Sequence, residues 1–433
     1  MRRTTTCALL GALVIGLLTA PAANAEGSFY DPPESLPAGN GELVRSEPME
    51  LRVNVDIDDV VSGLPGTATR IMYKTTDATG SPAAVTGVYI EPTVAWSGGG
   101  PRPLVSYAAG TQGQGDSCAP SYSLESAVVI DEDDLAVSAG YEALGVYGFL
   151  RQGVAVVMTD YVGLGATDRL HTYVNRVDEG HAVLDAVRAA LSLEGTSITA
   201  ASPVGFYGYS QGGGAAASAA ELAASYAPEL DVVGTYAGAP PADLAAVMVS
   251  ADKTALTGVI GWALNGLLQY DPALDAALDS ELSASGRATL ADLSTRCIGD
   301  LILLSGTAFD ATRSWTTSGS SLAQVTARVP AAKAAVDAQR IGTMKPNAPV
   351  MVLTGTKDDI VAHGQAKQLA KDWCSLGANV RYVPIPQAVS SQGTAVNHLG
   401  PMLTQRRAAT NWLIDRLEGD SARSNCWAVG ILP

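Results

Sequence analysis

Histidine is scarce in this chain, with four among 433 residues, at positions 171, 181, 363 and 398. They are isolated from one another and no paired-cysteine spacing appears, so no metal site is expected. Basic residues are also few, 27 against 43 acidic, which argues against nucleic acid as a partner. Aromatic residues make up only 6%, yet 47% of the chain is hydrophobic, enough for a large single core and against disorder. After the first 25 residues no apolar run approaches the roughly 18 needed to span a membrane, so no transmembrane segment is expected.

Those first 25 residues read as an export signal. Arg2 and Arg3 precede the apolar run Ala8 to Leu18, and Ala23-Asn24-Ala25 stands before Glu26 as a small-residue cleavage site. No cysteine lies there to take a lipid, so the mature chain, 26–433, is expected to be secreted, extracellular and soluble. Loss of the two arginines leaves 25 basic against 43 acidic residues, a net of −18. Of five cysteines, Cys7 leaves with the signal. Cys118, Cys297, Cys374 and Cys426 remain in an oxidising setting and imply two disulfides. Three pairings are possible; Cys118 with Cys297 and Cys374 with Cys426 is favoured.

The pattern Gly208-Tyr209-Ser210-Gln211-Gly212 carries the most chemistry. Val204 to Tyr207 reads as a short buried strand entering it, and the alanine-rich stretch after Gly213 reads as a helix leaving it. A sharp strand-to-helix turn would lift the Ser210 hydroxyl clear, where a base and a substrate carbonyl can both reach it. A glycine turn before an ordinary alanine helix is the plainer alternative.

A serine nucleophile needs a base and a group to orient it. In α/β-hydrolases the chain order is serine, acid, histidine, which removes His171 and His181. His363 reads as the start of a helix, whereas His398 sits in a loop-like stretch and is the chosen base. The acid is expected at the end of the apolar strand Val350 to Thr354, where Asp358 is preferred and Asp359 is the fallback; a solvated acidic pair is the plainer reading. The oxyanion hole needs two N–H donors. Gln211 follows the nucleophile and supplies one; Thr111, in the glycine loop after Leu104 to Tyr107, is the expected second.

Arg70 to Thr76 and Ala84 to Ile90 alternate around a turn and predict a β-hairpin. Later strands recur with helices between them, which predicts an α/β fold with a mostly parallel sheet flanked by helices. From 241 to 347 the strand rhythm stops, and an inserted helical cap is expected within the catalytic domain. Its most apolar part, Gly258 to Leu268, reads as a buried helix of the cap, with acyl-chain binding as the sharper alternative.

Several stretches in order resemble the secretory lipase family typified by Candida antarctica lipase A: Gly110-Thr111 with Cys118 to Ser121, Asp160 to Gly165, Gly180 to Arg188, and Gly208 to Gly212 with Ala239 to Leu244. The resemblance implies an α/β-hydrolase fold with a cap, triacylglycerol or other carboxylic ester substrates, no cofactor, and a triad on Ser210, Asp358 and His398. Contact with a lipid interface would be transient. The chain departs from the family pattern at Ala109, where relatives often carry histidine, and at Ala362, where proline is common. A peptidase or acyltransferase on the same fold would share the triad, and a silent secreted binding protein would share only the fold.

Overall fold

The computed structural model describes residues 28–57, 60–126, 129–131, 140–166, 169–303, 305–388 and 392–433. The export signal, 1–25, lies outside the described residues. Among the described residues twelve strands form two sheets: β1 (Leu43–Met49), β2 (Asn54–Ile57), β3 (Val60–Gly63), β4 (Gly66–Thr76), β5 (Pro82–Pro92), β6 (Leu104–Ala108), β7 (Val129–Asp131), β8 (Ala155–Thr159), β9 (Val204–Tyr209), β10 (Val232–Gly238), β11 (Val350–Gly355) and β12 (Val380–Ile385). The large sheet has the order β1-β4-β5-β8-β6-β9-β10-β11-β12. Its first three strands pair antiparallel, with β4 and β5 forming the expected hairpin. From β8 onward every neighbour is parallel.

Strands β6, β8, β9 and β11 are buried at every position, as a sheet covered on both faces requires. Successive strand residues face opposite sides. On β9 a methyl added at Gly205 would meet Leu413 of the helix Val396–Leu417, while one at Gly208 would meet Gly212 of the helix Gln211–Tyr226. These two helices therefore lie on opposite faces. The fold class read from the sequence is borne out. The strands β2, β3 and β7, which make a small separate sheet, were not foreseen; they are three or four residues long, too short for periodicity to register.

Strand order reverses around β6, since the chain runs from β6 to β8 on one side and then crosses to β9 on the other. Loops leaving the ends of β6 and β9 therefore border a crevice, the usual ligand position in such sheets. Ala109 to Thr111 follow β6 and Ser210 follows β9.

Between β10 and β11 the described residues form helices and no strand, from Leu244–Ser250 to Pro330–Asp337. Trp262, Leu264, Leu293, Trp315 and Val325 pack together there, and Tyr173, Ile360, Val361 and Ala395, from outside 241–347, complete the same cluster. The insert thus shares its core with crevice segments.

Two disulfides form, Cys118–Cys297 and Cys374–Cys426. The first closes a sequence separation of 179 residues and ties the loop after β6 to the insert. Closing so long a loop restricts the unfolded chain, an effect worth about 2–4 kcal/mol. Replacing Cys118 and Cys297 together by alanine should lower unfolding stability by about that amount in urea titration; an unchanged midpoint would mean that the bridge constrains nothing the fold does not already fix.

Candidate active site

Ser210 sits between β9 and the helix Gln211–Tyr226 with φ 57° and ψ −124°, a conformation that a residue with a side chain rarely adopts. Close backbone approaches fix it there. A methyl at Gly208 would come within 2.1 Å of the Gly212 carbonyl oxygen, and one at Gly212 within 2.0 Å of the Ala108 carbonyl oxygen. Glycine at both places is therefore a packing requirement of the turn. The Ser210 N–H donates to the Gly238 carbonyl at 2.9 Å, which ties the turn to β10.

His398 reaches Ser210 from the helix Val396–Leu417, with Nε2 and Oγ 2.8 Å apart. Its Nδ1 is 2.8 Å from Asp358 Oδ2. An ionised carboxylate can only accept, so Nδ1 carries the proton and Nε2 is left to accept from the serine hydroxyl. The other oxygen of Asp358 accepts the N–H groups of Ile360 and Val361 at 3.0 and 2.9 Å, holding the carboxylate in its own turn. Asp359 does not touch the ring. It accepts the backbone N–H groups of Ala395 and His398, both at 3.1 Å.

That contact explains why the sequence placed His398 in a loop whereas it is the third residue of a helix. The N-terminal residue Ala395, at φ 66°, offers no capping side chain, and Asp359 supplies the missing acceptor from another segment. Pro401 inside the helix likewise reads as a breaker, because it cannot donate to the carbonyl of Asn397. Gln387 donates to that carbonyl instead, at 2.6 Å. Neither partner is near in sequence.

Gln211 and Thr111 both line a cleft beside Ser210. Gln211 is the first residue of its helix, where backbone N–H groups lack intrahelical acceptors. Thr111 is held at both ends: its hydroxyl is 2.8 Å from that of Tyr173, and its carbonyl accepts from Tyr141 at 3.0 Å. The preceding Gly110 N–H donates to the buried Glu142 carboxyl at 2.5 Å, and the Ala109 carbonyl accepts from Tyr161 at 2.6 Å. Glu142, Tyr161 and Tyr173 were not singled out in the sequence. Two cavities meet at Ser210. One of about 180 Å³ is lined by His398, Tyr141, Ile298, Leu399 and Met402. The other, about 30 Å³, runs under the insert past Leu244, Met248, Val259 and Ile260.

Sheet topology, strained serine turn and histidine-bearing helix define an α/β-hydrolase. Candida antarctica lipase A has the same fold at a TM-score of 0.68 and 22% identity, over 90% of this chain and 84% of that one. The rice cell wall degrading esterase LipA from Xanthomonas oryzae matches at 0.68 and 20% identity, over 88% and 100%. More specifically, residues 131–425 match the model of the secretory lipase family, and the chain belongs to that family. Secreted triacylglycerol lipase LIP3 of Malassezia globosa is 26% identical over 406 residues, spanning 92% of this chain and 82% of its own. A Mycobacterium tuberculosis protein named "probable inactive lipase" is 28% identical over 400 residues, spanning 92% and 83%. Family and relatives support hydrolysis of esters. The secreted relatives and the two disulfides agree with the expected export, and among the described residues no helix is long and apolar enough to cross a membrane.

Burial pushes three carboxyls near the crevice upward, Glu142 to about 7, Asp160 to about 6 and Glu179 to about 8. A carboxyl that keeps its proton longer folded than unfolded makes the folded chain bind more protons between the two values, so stability falls as pH rises through that window. For Glu179 the window runs from 4.5 to about 8. His171, pushed by burial from 6.5 down to about 4, acts in the opposite sense below 6.5. Above pH 7 the Glu179 contribution is therefore the cleanest to observe. The thermal midpoint of the wild type should decline between pH 7 and 8 more steeply than that of Glu179→Gln; parallel slopes would show that Glu179 does not titrate there.

Proposed function

We propose that this chain is a secreted serine hydrolase of carboxylic esters, a lipase or carboxylesterase that works through an acyl-enzyme on Ser210. The observation that carries the reading is the hydrogen-bonded series Ser210–His398–Asp358, with both links at 2.8 Å. His398 takes the hydroxyl proton as Ser210 attacks the ester carbonyl, and Asp358 stabilises the imidazolium. The backbone N–H groups of Gln211 and Thr111 hold the oxyanion. His398 then protonates the departing alcohol, and water repeats the sequence on the acyl-enzyme.

This proton transfer gives the two cavities different tasks. The leaving oxygen must lie within reach of His398, so the alcohol occupies the cavity that His398 lines. The acyl group takes the narrower cleft beside Gln211, roofed by Leu244, Met248, Val259 and Ile260. The insert, 241–347, is thereby a cap over the acyl chain. Near the mouth, Phe309 and Val396 are each 56% exposed; Phe309 bonds back to Thr254, beside the cavity-lining Ala255, and Val396 follows the lining residue Ala395. They are suited to brief contact with a lipid interface, where apolar contact must outweigh the repulsion between this acidic chain and anionic lipid.

The relative named an inactive lipase raises the second reading, a scaffold without chemistry. The intact hydrogen-bonded series argues against it here. Against p-nitrophenyl esters from acetate to palmitate, with emulsified triolein alongside, the wild type should turn over and Ser210→Ala should lose roughly 10³-fold or more. A fluorophosphonate should label the wild type and not Ser210→Ala. Wild-type turnover in Ser210→Ala would end the assignment. The narrow acyl cleft predicts a preference for the shorter acyl chains, which Met248→Ala should move toward longer ones; an unchanged profile would place the acyl group elsewhere.

A further inference from the structure

The Gln211 side chain does not face solvent. It is 2% exposed, and its amide nitrogen lies 3.1 Å from His171 Nε2 and 2.8 Å from Glu179 Oε1. His171 Nδ1 is 2.8 Å from the Val162 carbonyl, which can only accept, so Nδ1 bears the hydrogen and Nε2 is an acceptor. Both amide hydrogens of Gln211 are thereby used, and its orientation is determined. The same oxygen of Glu179 also accepts the N–H of Val174 at 3.0 Å, where the backbone takes a left-handed φ of 55°.

The loop carrying the other expected donor is gripped by the same stretch of chain. Tyr161, itself at φ 70°, donates to the Ala109 carbonyl, and the Tyr173 hydroxyl meets that of Thr111. The Tyr161 ring stacks on His171 with centroids 5.9 Å apart, and His171 meets Tyr173 edge-on at 6.0 Å. One buried block thus touches the residues on both sides of the crevice.

We propose that Tyr161, His171, Tyr173 and Glu179 together form a positioning element for the oxyanion hole, with Glu179 and His171 fixing Gln211 while Tyr161 and Tyr173 fix Ala109 to Thr111. The inference rests on the reading of the Gln211 and Thr111 N–H groups as the oxyanion donors. Donors act well only when held in place before charge develops, since reorientation during the reaction would consume much of their stabilisation. Left-handed backbone at Tyr161 and Val174 is the kind of strain that persists only where surrounding contacts enforce it. Burial also keeps His171 uncharged and holds the Glu179 proton at neutral pH, so the element adds no negative charge beside the developing oxyanion.

The test compares kcat and KM for p-nitrophenyl esters in Glu179→Ala, Glu179→Gln, Tyr161→Phe and Tyr173→Phe, with wild type and Ser210→Ala in the same assay. It also measures the rate of Ser210 labelling by a fluorophosphonate, in which Oγ bonds to phosphorus, fluoride leaves and the phosphoryl oxygen sits where the oxyanion would. Glu179→Ala should lower kcat by about 10- to 100-fold with KM within about twofold, and should slow labelling in parallel. Glu179→Gln, which retains an acceptor, should recover most of that loss, and each tyrosine variant should lower kcat severalfold. A core defect would instead reduce the amount of folded protein and leave kcat per labelled site unchanged. Wild-type kcat and labelling rates in Glu179→Ala, or in Glu179→Gln and both tyrosine variants should Glu179→Ala not fold, would overturn the positioning role while an active wild type and a silent Ser210→Ala kept the hydrolase reading intact. A wild type that neither hydrolyses esters nor takes the label would overturn both.

Discussion

The backbone at Ser210 is held where a residue with a Cβ pays roughly 1–3 kcal/mol of local strain, and much of the surrounding structure follows from that requirement. β6, β9 and β10 must approach the turn closely, so Gly208, Gly212 and Gly213 face carbonyl oxygens at distances that exclude any side chain. The helix Gln211–Tyr226 must then begin against the sheet, which its run of glycine and alanine permits. The result is a hydroxyl that projects into the crevice from a site otherwise sealed by close packing.

Burial behind the crevice loops creates a second demand, because carboxyls packed there must find hydrogen-bond donors out of water. Asp160 accepts the backbone N–H and hydroxyl of Ser121 and the hydroxyl of Thr86. Glu142 accepts Tyr107 and Gly110, and Glu179 accepts Val174 and Gln211. These bonds join loops that are distant in sequence. They also give a physical account of the family resemblance, since Asp160-Tyr161, Cys118 to Ser121 and Gly110-Thr111 are stretches that hold one another in place.

The helical insert is coupled to this arrangement rather than placed over it as a separate body. Its helix Gly258–Leu268 directs Val259, Ile260 and Ala263 to the cleft beside Ser210, while Trp262 packs edge-on against Tyr173 and donates to the Leu293 carbonyl. The helix is thus a buried element of the insert's core, and one of its faces borders the cleft. Trp262 and Tyr173 bring the insert into contact with the same residues that surround Thr111. Movement of the insert would be felt at the crevice.

The sequence by itself determined the alternation of strands and helices, the β4–β5 hairpin, the β9 turn and the break in strand rhythm after β10, because each is written in local periodicity and in glycines that a tight turn requires. It also reduced the base to His363 or His398 and the acid to two adjacent aspartates. Tertiary structure decided what those aspartates do. Asp358 lies against the His398 ring, and Asp359 caps the helix that carries it, a division invisible in sequence because both residues precede the same turn and their partners lie about 40 residues away. The Asp359 and Gln387 contacts likewise decided that His398 lies on a helix. Glu142, Tyr161, His171, Tyr173 and Glu179 came to pack against the crevice loops only through folding, since an isolated glutamate or tyrosine carries no local mark of burial; a side chain's burial and its partners are set by the segments packed around it.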